Sequence, residues 1–222
     1  MKRIILVLIS LAAVLAAATG IPSVPAAETG AGGGGRSGEV RVLALLCAPF
    51  GTNTNLMRDW MELYGWTVTT TGVVDSVARC AYGGPYVVDT LVSEIDDVTA
   101  WDILFIMPSR AWTGNSHAQL LADQDALDLV AAAAAADLVV ASMCGGTRVL
   151  AAADVIDGRQ VTGRPEYLAE YEAAGATYVT YPVPPVQDGN IITSRDGQYY
   201  GRRICEVARA TLDSLRAAKA GD

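Results

Sequence analysis

Histidine is almost missing from this sequence: His117 is the single imidazole in 222 residues. No CxxC pair is present, and the spacing of the four cysteines fits no zinc pattern, so a structural metal site is not expected and no cofactor is implied. Positive charge is also scarce. With 16 Lys and Arg against 24 Asp and Glu, the formal net charge is -8, and no basic stripe overrides it. That excludes the phosphate electrostatics on which nucleic-acid binding rests. Internal repeats are absent, and at 51% hydrophobic and 18% charged the composition excludes disorder throughout.

What is present begins with MKRIILVLISLAAVLAAATGIPSVPA. Lys2 and Arg3 give a basic start, residues 4–18 an apolar core, and Val24-Pro25-Ala26 a small-residue cleavage site. Residues 1–26 therefore read as a secretory signal peptide cleaved before Ala27. The alternative is an uncleaved membrane anchor, because the apolar stretch to Ile21 falls just short of the roughly 20 residues a span needs. Either reading places the domain outside the cytoplasm, with a membrane as partner only if the segment is uncleaved. There Cys47, Cys80, Cys144 and Cys205 can pair, with three possible connectivities. Residues 27–39 are Gly-rich and lack large apolar side chains, as expected of a flexible tether, and the folded domain is expected over residues 40–218.

Within it, β-type runs alternate with helical patterns. VRVLALLC is a nearly continuous apolar strand, NLMRDWMELYG places Leu56, Trp60 and Leu63 at helical spacing, and TVTTT resumes the strand pattern. DILFIM, a long Ala-rich helix through LLADQDALDLVAAAAAA, LVVAS and TRVLAAADV repeat the alternation. RQVT is a short strand, PEYLAEYEAAG a helix opened by Pro165 and closed by Gly175, and VQDGNIITS a tight turn entering a strand. A last helix over residues 201–218 carries Ile204, Val207, Ala208, Leu212 and Leu215 on one side. The expected fold is α/β: a flavodoxin-like, doubly wound, mostly parallel sheet with helices on both faces.

VVASMCGGTRVL (residues 139–150) carries the chemistry. A strand that turns sharply into a helix at Cys144 exposes the thiol above the C-terminal edge of the sheet, where open α/β folds bind ligands. A helix N-terminus favours the thiolate, and Gly145 and Gly146 leave backbone amides free to hold an oxyanion. The bland alternative for Cys144 is a small buried hydrophobe. Arg148 lies one helical turn on, and with Arg164 and Arg110, placed nearby only by the family resemblance these motifs carry, it is expected to form an electropositive, substrate-binding surround; the plainer reading makes Arg148 and Arg164 surface residues or ion-pair partners. His117, in the loop SRAWTGNSH, serves as a base only if that loop folds over Cys144, and Trp112 is either a lid or packing.

CGGTRVLAAADVIDGRQVT, GATYV and DGNIITSR closely resemble the ThiJ/PfpI family of the class I glutamine amidotransferase-like superfamily, and the resemblance runs over nearly all of residues 40–215. It implies that Cys144 is the reactive cysteine, that the Gly145 amide is one oxyanion donor, and that a homodimer forms. The second donor comes from the loop after Pro108, where Ser109-Arg110 replaces the family's usual Gly-Gly. Asn53 stands where the family has a glutamate, as substrate orienter or helix cap, and the family's histidine positions hold Gly145 and Arg164. The implied activity is that of a thiol-dependent hydrolase or carbonyl-processing (glyoxalase- or deglycase-like) enzyme acting on a small molecule or peptide. The alternative is a non-catalytic ligand-binding, redox-sensing or stress-response member. Glutamine amidotransfer lacks its Cys-His-Glu triad. DGN and ITSR are read as turn and strand features without chemistry.

Overall fold

The computed structural model describes residues 38–49, 52–75, 78–79, 85–109, 117–180 and 184–221. The expected signal peptide and nearly all of the tether, together with Cys80, Arg110 and Trp112, lie outside these residues. The described domain begins with β1 (Arg41–Leu45), helix α1 (Thr52–Leu63) and β2 (Thr67–Gly72), followed by one short pairing, β3 (Ala78–Arg79) with β4 (Pro85–Tyr86), then β5 (Thr90–Leu91) and β6 (Ile103–Ile106). Then follow α2 (Ala118–Leu121), α3 (Gln124–Ala135), β7 (Val139–Met143) and α4 (Thr147–Ala152). The chain continues through β8 (Gln160–Val161), α5 (Leu168–Ala173), β9 (Thr177–Tyr178), β10 (Val186–Asp188), β11 (Ile191–Ser194) and α6 (Gly197–Gly221).

Among the described residues the main sheet has seven strands in the order β10-β11-β7-β6-β1-β2-β5, all parallel except β10 against β11. This is the flavodoxin-like arrangement that the strand-helix alternation predicts. The chain moves outward from β1 to β2 in one direction and from β6 to β7 in the other, so the topological switch lies between β1 and β6. Side chains alternate between two cores because successive residues of a strand face opposite sides. Val42, Ala44, Ile103, Phe105, Val139 and Ala141 pack on the α1/α6 side. Leu43, Leu45, Leu104, Ile106 and Val140 pack on the side of α3, α4 and α5. Both faces are covered, which is why these strands read as continuous apolar runs.

The structure differs from the sequence expectation in three places. On α1 the buried apolar positions are Met57 and Met61, while Leu63, at the helix end, is 73% exposed. Helix α6 sets this rotation: it crosses α1 at Gly201, where a Cβ would lie 3.0 Å from Met57 Sδ. The long Ala-rich helix is two helices, because Asp123 takes an extended conformation and its carboxylate caps Ala126 N–H. The last helix starts at Gly197, a turn earlier than expected, but its apolar side is the expected one: Ile204, Ala208 and Leu212 are buried, with Val207 and Leu215 packed beside them.

The β10–β11 hairpin turns at Gly189, φ 61°, and Asn190 donates from Nδ2 to Ala134 O (3.0 Å) and Leu138 O (2.9 Å), fastening the turn to the end of α3. No helix among the described residues is long and apolar enough to cross a membrane.

Candidate active site

Strand β7 ends at Met143, and the next residue, Cys144, takes φ 63°, a left-handed conformation rare for a residue with a Cβ. Cys144–Gly146 forms a single 3-10 turn that leads directly into α4. The turn lies tight on β6: a Cβ on Gly146 would sit 3.0 Å from Ile106 Cγ2, so this position needs glycine. Thr147 pins the corner by donating to Thr162 O (2.9 Å), while Ser142 Oγ lies 3.1 Å from Thr147 Oγ1. Cys144 retains 7% exposure and is a free thiol. A strained corner that keeps a thiol near the sheet edge suits a nucleophile better than filler.

Arg164 is brought to that thiol by the segment before it. Thr162 N–H donates to Thr193 Oγ1 (2.8 Å), Thr162 Oγ1 donates to Val179 O (3.0 Å), and Tyr178 donates to Gly163 O (3.0 Å). With the backbone so fixed, the Arg164 guanidinium hydrogen-bonds both the Cys144 sulfur and Glu166, its Nε lying 2.6 Å from Glu166 Oε1. Burial raises the Cys144 pKa above that of an ordinary thiol, and this outweighs the Arg164 charge, the Gly145 amide and the Arg164 hydrogen bond, all of which pull it down; Asp196 adds to the rise. The expected electropositive surround is thus present in Arg164 but does not prevail over burial. The helix behind the corner, at six residues, adds little dipole.

A second polar cluster sits at the switch point. Cys47 follows β1, Ser109 follows β6, and His117 precedes α2. The Ser109 side chain and the His117 amide hydrogen-bond to the Cys47 sulfur, yet burial pushes that thiol up to about 12. His117 is 1% exposed, with Nε2 at 2.9 Å from Met107 O and Nδ1 at 3.5 Å from Ser109 Oγ. A carbonyl only accepts, so Nε2 carries the proton and Nδ1 faces the hydroxyl. Burial, followed by the charge of Arg148, lowers the His117 pKa to about 4 against the opposing Met107 bond. His117 is therefore held neutral by burial, with its Nε2–H on Met107 O.

Extending the sheet register (Leu45 beside Ile106, Ile106 beside Ser142) puts Cys47, Pro108 and Cys144 in one row. Two strand spacings of roughly 4.8 Å put the Cα positions of that row's ends about 9–10 Å apart, beyond the roughly 4.4–6.8 Å between Cα atoms that a disulfide spans.

The other expected residues fall into different places. Asn53 is the second residue of α1 and half-buried, inside the helix instead of capping it. Its neighbour Thr54, unnoticed in the sequence, ties α1 to the site edge through Oγ1 to Pro108 O at 2.7 Å. Arg148 makes a two-point ion pair with Glu170 (2.7 and 2.9 Å) and lies 4.1 Å over the Tyr167 ring, which clamps α4 to α5. Glu166, Tyr171 and Asp196 also escaped notice. The ITSR stretch proves to border the chemistry: Ser194 pairs with Met143 in the sheet, and the charges of Arg195 and Asp196 act on Glu166 and Cys144. A groove of about 500 Å³ between α3 and the segment from Val92 to Val98, apart from the Cys144 corner, is lined by Asp96, Asp97, Asp125 and Asp128. Among the described residues no group of three or more His, Cys, Asp or Glu side chains is placed to hold a metal.

Fold and corner together define a class: doubly wound α/β domains that present a cysteine on a strand-to-helix turn at the C-terminal sheet edge. The sequence model of the DJ-1/PfpI family matches residues 51–206, and the chain belongs to that family. Solved structures agree in fold. A ThiJ/PfpI domain protein from Brachyspira murdochii is 18% identical with a TM-score of 0.68, over 80% of this chain and 99% of that one. DJ-1beta from Drosophila melanogaster is 18% identical with a TM-score of 0.63, over 82% of this chain and 98% of that one. A two-domain protein from Anabaena variabilis, with DJ-1/ThiJ/PfpI-like and ferritin-like domains, is 20% identical with a TM-score of 0.66 over 80% of this chain. This chain spans 48% of that larger protein. No match is found among curated proteins.

Proposed function

We propose that the protein is an exported thiol enzyme that processes carbonyl compounds or hydrolyses small acyl substrates through a covalent adduct on Cys144. The observation that carries this reading is the left-handed Cys144 corner held against the Arg164–Glu166 pair. The thiol loses its proton to solvent, the sulfur attacks the carbonyl carbon, and the C=O electron pair moves to oxygen, where the Gly145 N–H meets it. Arg164 favours the thiolate; with burial opposing it, the reactive form is a small fraction at neutral pH.

Alkylation by iodoacetamide with peptide mass mapping tests this. Cys144 is expected to react ahead of Cys47 and Cys205, which are 2% and 0% exposed, with a rate rising about tenfold per pH unit to beyond pH 9. Arg164→Gln is expected to slow it at fixed pH. A Cys144 no faster than the two buried thiols, or indifferent to Arg164, overturns the proposal. The net upward push on the Cys144 pKa supports the second reading, a non-catalytic ligand-binding or redox-sensing protein; it gains if Cys144 alkylates but no aldehyde or acyl substrate is turned over.

A further inference from the structure

Arg164 serves two partners at once. Its guanidinium hydrogen-bonds the Cys144 sulfur, and it also donates to Glu166, whose Oε1 takes Nε at 2.6 Å together with Nη2. A guanidinium presents several N–H donors in one plane, an edge that matches a carboxylate, and here the thiol and a carboxylate share it.

The carboxylate is the replaceable partner. Glu166 stands on the single 3-10 turn that follows Arg164, and the two side chains retain 33% (Arg164) and 44% (Glu166) of their exposure. An ion pair that open to water adds little to the fold, so a carboxylate arriving from solvent can take the place of Glu166 at small cost. Arg164 itself is less free to move. The backbone before it is tied by Thr162 N–H to Thr193 Oγ1, by Thr162 Oγ1 to Val179 O and by Tyr178 to Gly163 O. A second guanidinium acts on the same place: Ser194 pairs with Met143, so Arg195 falls in the row of Cys144, and its charge reaches Glu166. Asp196 opposes the two arginines, with less effect on the sulfur than Arg164 has.

We propose that the substrates are 2-oxo acids, compounds with a carboxylate on the carbon that Cys144 attacks, and that Arg164 holds this carboxylate where Glu166 rests in the empty site. Because sulfur and carboxylate meet on one guanidinium, the carbon bonded to the carboxylate is delivered beside the sulfur. A neutral aldehyde or a peptide carbonyl lacks the group that Arg164 binds. With glyoxylate, the thiolate forms an S–C bond at the aldehyde carbon, the C=O π pair moves to oxygen, and solvent supplies the proton that makes it a hydroxyl. The inference rests on Cys144 being the nucleophile.

Iodoacetate and iodoacetamide test the two readings separately. They differ in the charge beside the reacting carbon and meet the same sulfur, so the ratio of their rates at Cys144 cancels the thiolate fraction. The ratio is measured in the full chain at neutral pH by peptide mass mapping, and again for the same cysteine in the urea-unfolded chain. Folding is expected to raise it about tenfold or more in favour of iodoacetate, the worth of a guanidinium–carboxylate contact. Arg164→Gln is expected to lose most of that rise, and Glu166→Gln, which removes the resident carboxylate, to increase it. Glyoxylate is expected to half-protect Cys144 from iodoacetamide at a concentration about tenfold or more below that of neutral glycolaldehyde. A ratio unchanged by folding, kept in Arg164→Gln or lowered in Glu166→Gln overturns the substrate assignment and leaves the nucleophile standing, as does glyoxylate protecting no better than glycolaldehyde. If iodoacetamide labels Cys144 no faster than Cys47 and Cys205, the nucleophile reading falls first and takes this one with it.

Discussion

Acidification from pH 7 to pH 5 is expected to strip about 2 kcal/mol of folding stability through one residue, His117. Its pKa falls from 6.5 to about 4 in the folded chain, through burial first and the Arg148 charge besides. The unfolded chain takes up a proton near pH 6.5 while the folded chain refuses it until about pH 4, so unfolding binds the proton and stability falls with pH. At about 1.36 kcal/mol per pH unit, the full effect is about 3 kcal/mol, with about 1 lost by pH 6 and about 2 by pH 5. The window is clean because the chain has one histidine. The carboxyls held below their ordinary values, Asp97, Glu166 and Glu206, begin to lose stability only near pH 4.5 and lower.

Urea unfolding at pH 7, 6 and 5, extrapolated to water, measures the loss. His117→Asn should flatten the profile, since Asn tolerates the residue's φ of 65° and does not titrate. A wild-type profile flat to within about 0.5 kcal/mol, or an equal loss in the variant, would refute the assignment of His117 as a buried neutral residue.

Two further perturbations probe the scaffold of the site. Gly163→Ala forces a Cβ to within 3.0 Å of both Tyr171 Oη and Thr147 Oγ1, and is expected to destabilise by about 1–3 kcal/mol in chemical denaturation and to slow Cys144 alkylation by displacing Arg164. Asn190→Ala strands the carbonyls of Ala134 and Leu138, for an expected loss of about 1–3 kcal/mol with the alkylation rate of Cys144 unchanged, because the hairpin turn lies at the opposite end of β11 from Ser194.

The strands and helices were legible because their signals are local. β1, β6 and β7 are short, almost wholly apolar runs, and the turn from Met143 through Gly146 carries its own punctuation. Local pattern was weaker where neighbours decide. The face that α1 buries depends on the close crossing at Gly201, 138 residues after the exposed Leu63 (201 less 63), which no helical wheel contains. Asp123 reads equally well inside a helix or as a cap, and the folded chain uses it as the cap of α3.

The site divides in the same way. By itself the sequence determined that a cysteine would stand at a strand-to-helix corner of a doubly wound sheet, since hydrophobic period and glycine placement are properties of contiguous residues. Only the tertiary structure decided the company that thiol keeps. Arg164, Glu166 and Asp196 come from segments 20 to 52 residues beyond Cys144 and gain their roles from distance and burial. Those same factors hold His117 neutral: a side chain's charge, proton and accessibility depend on the dielectric and partners around it, and these exist only once the chain has closed on itself.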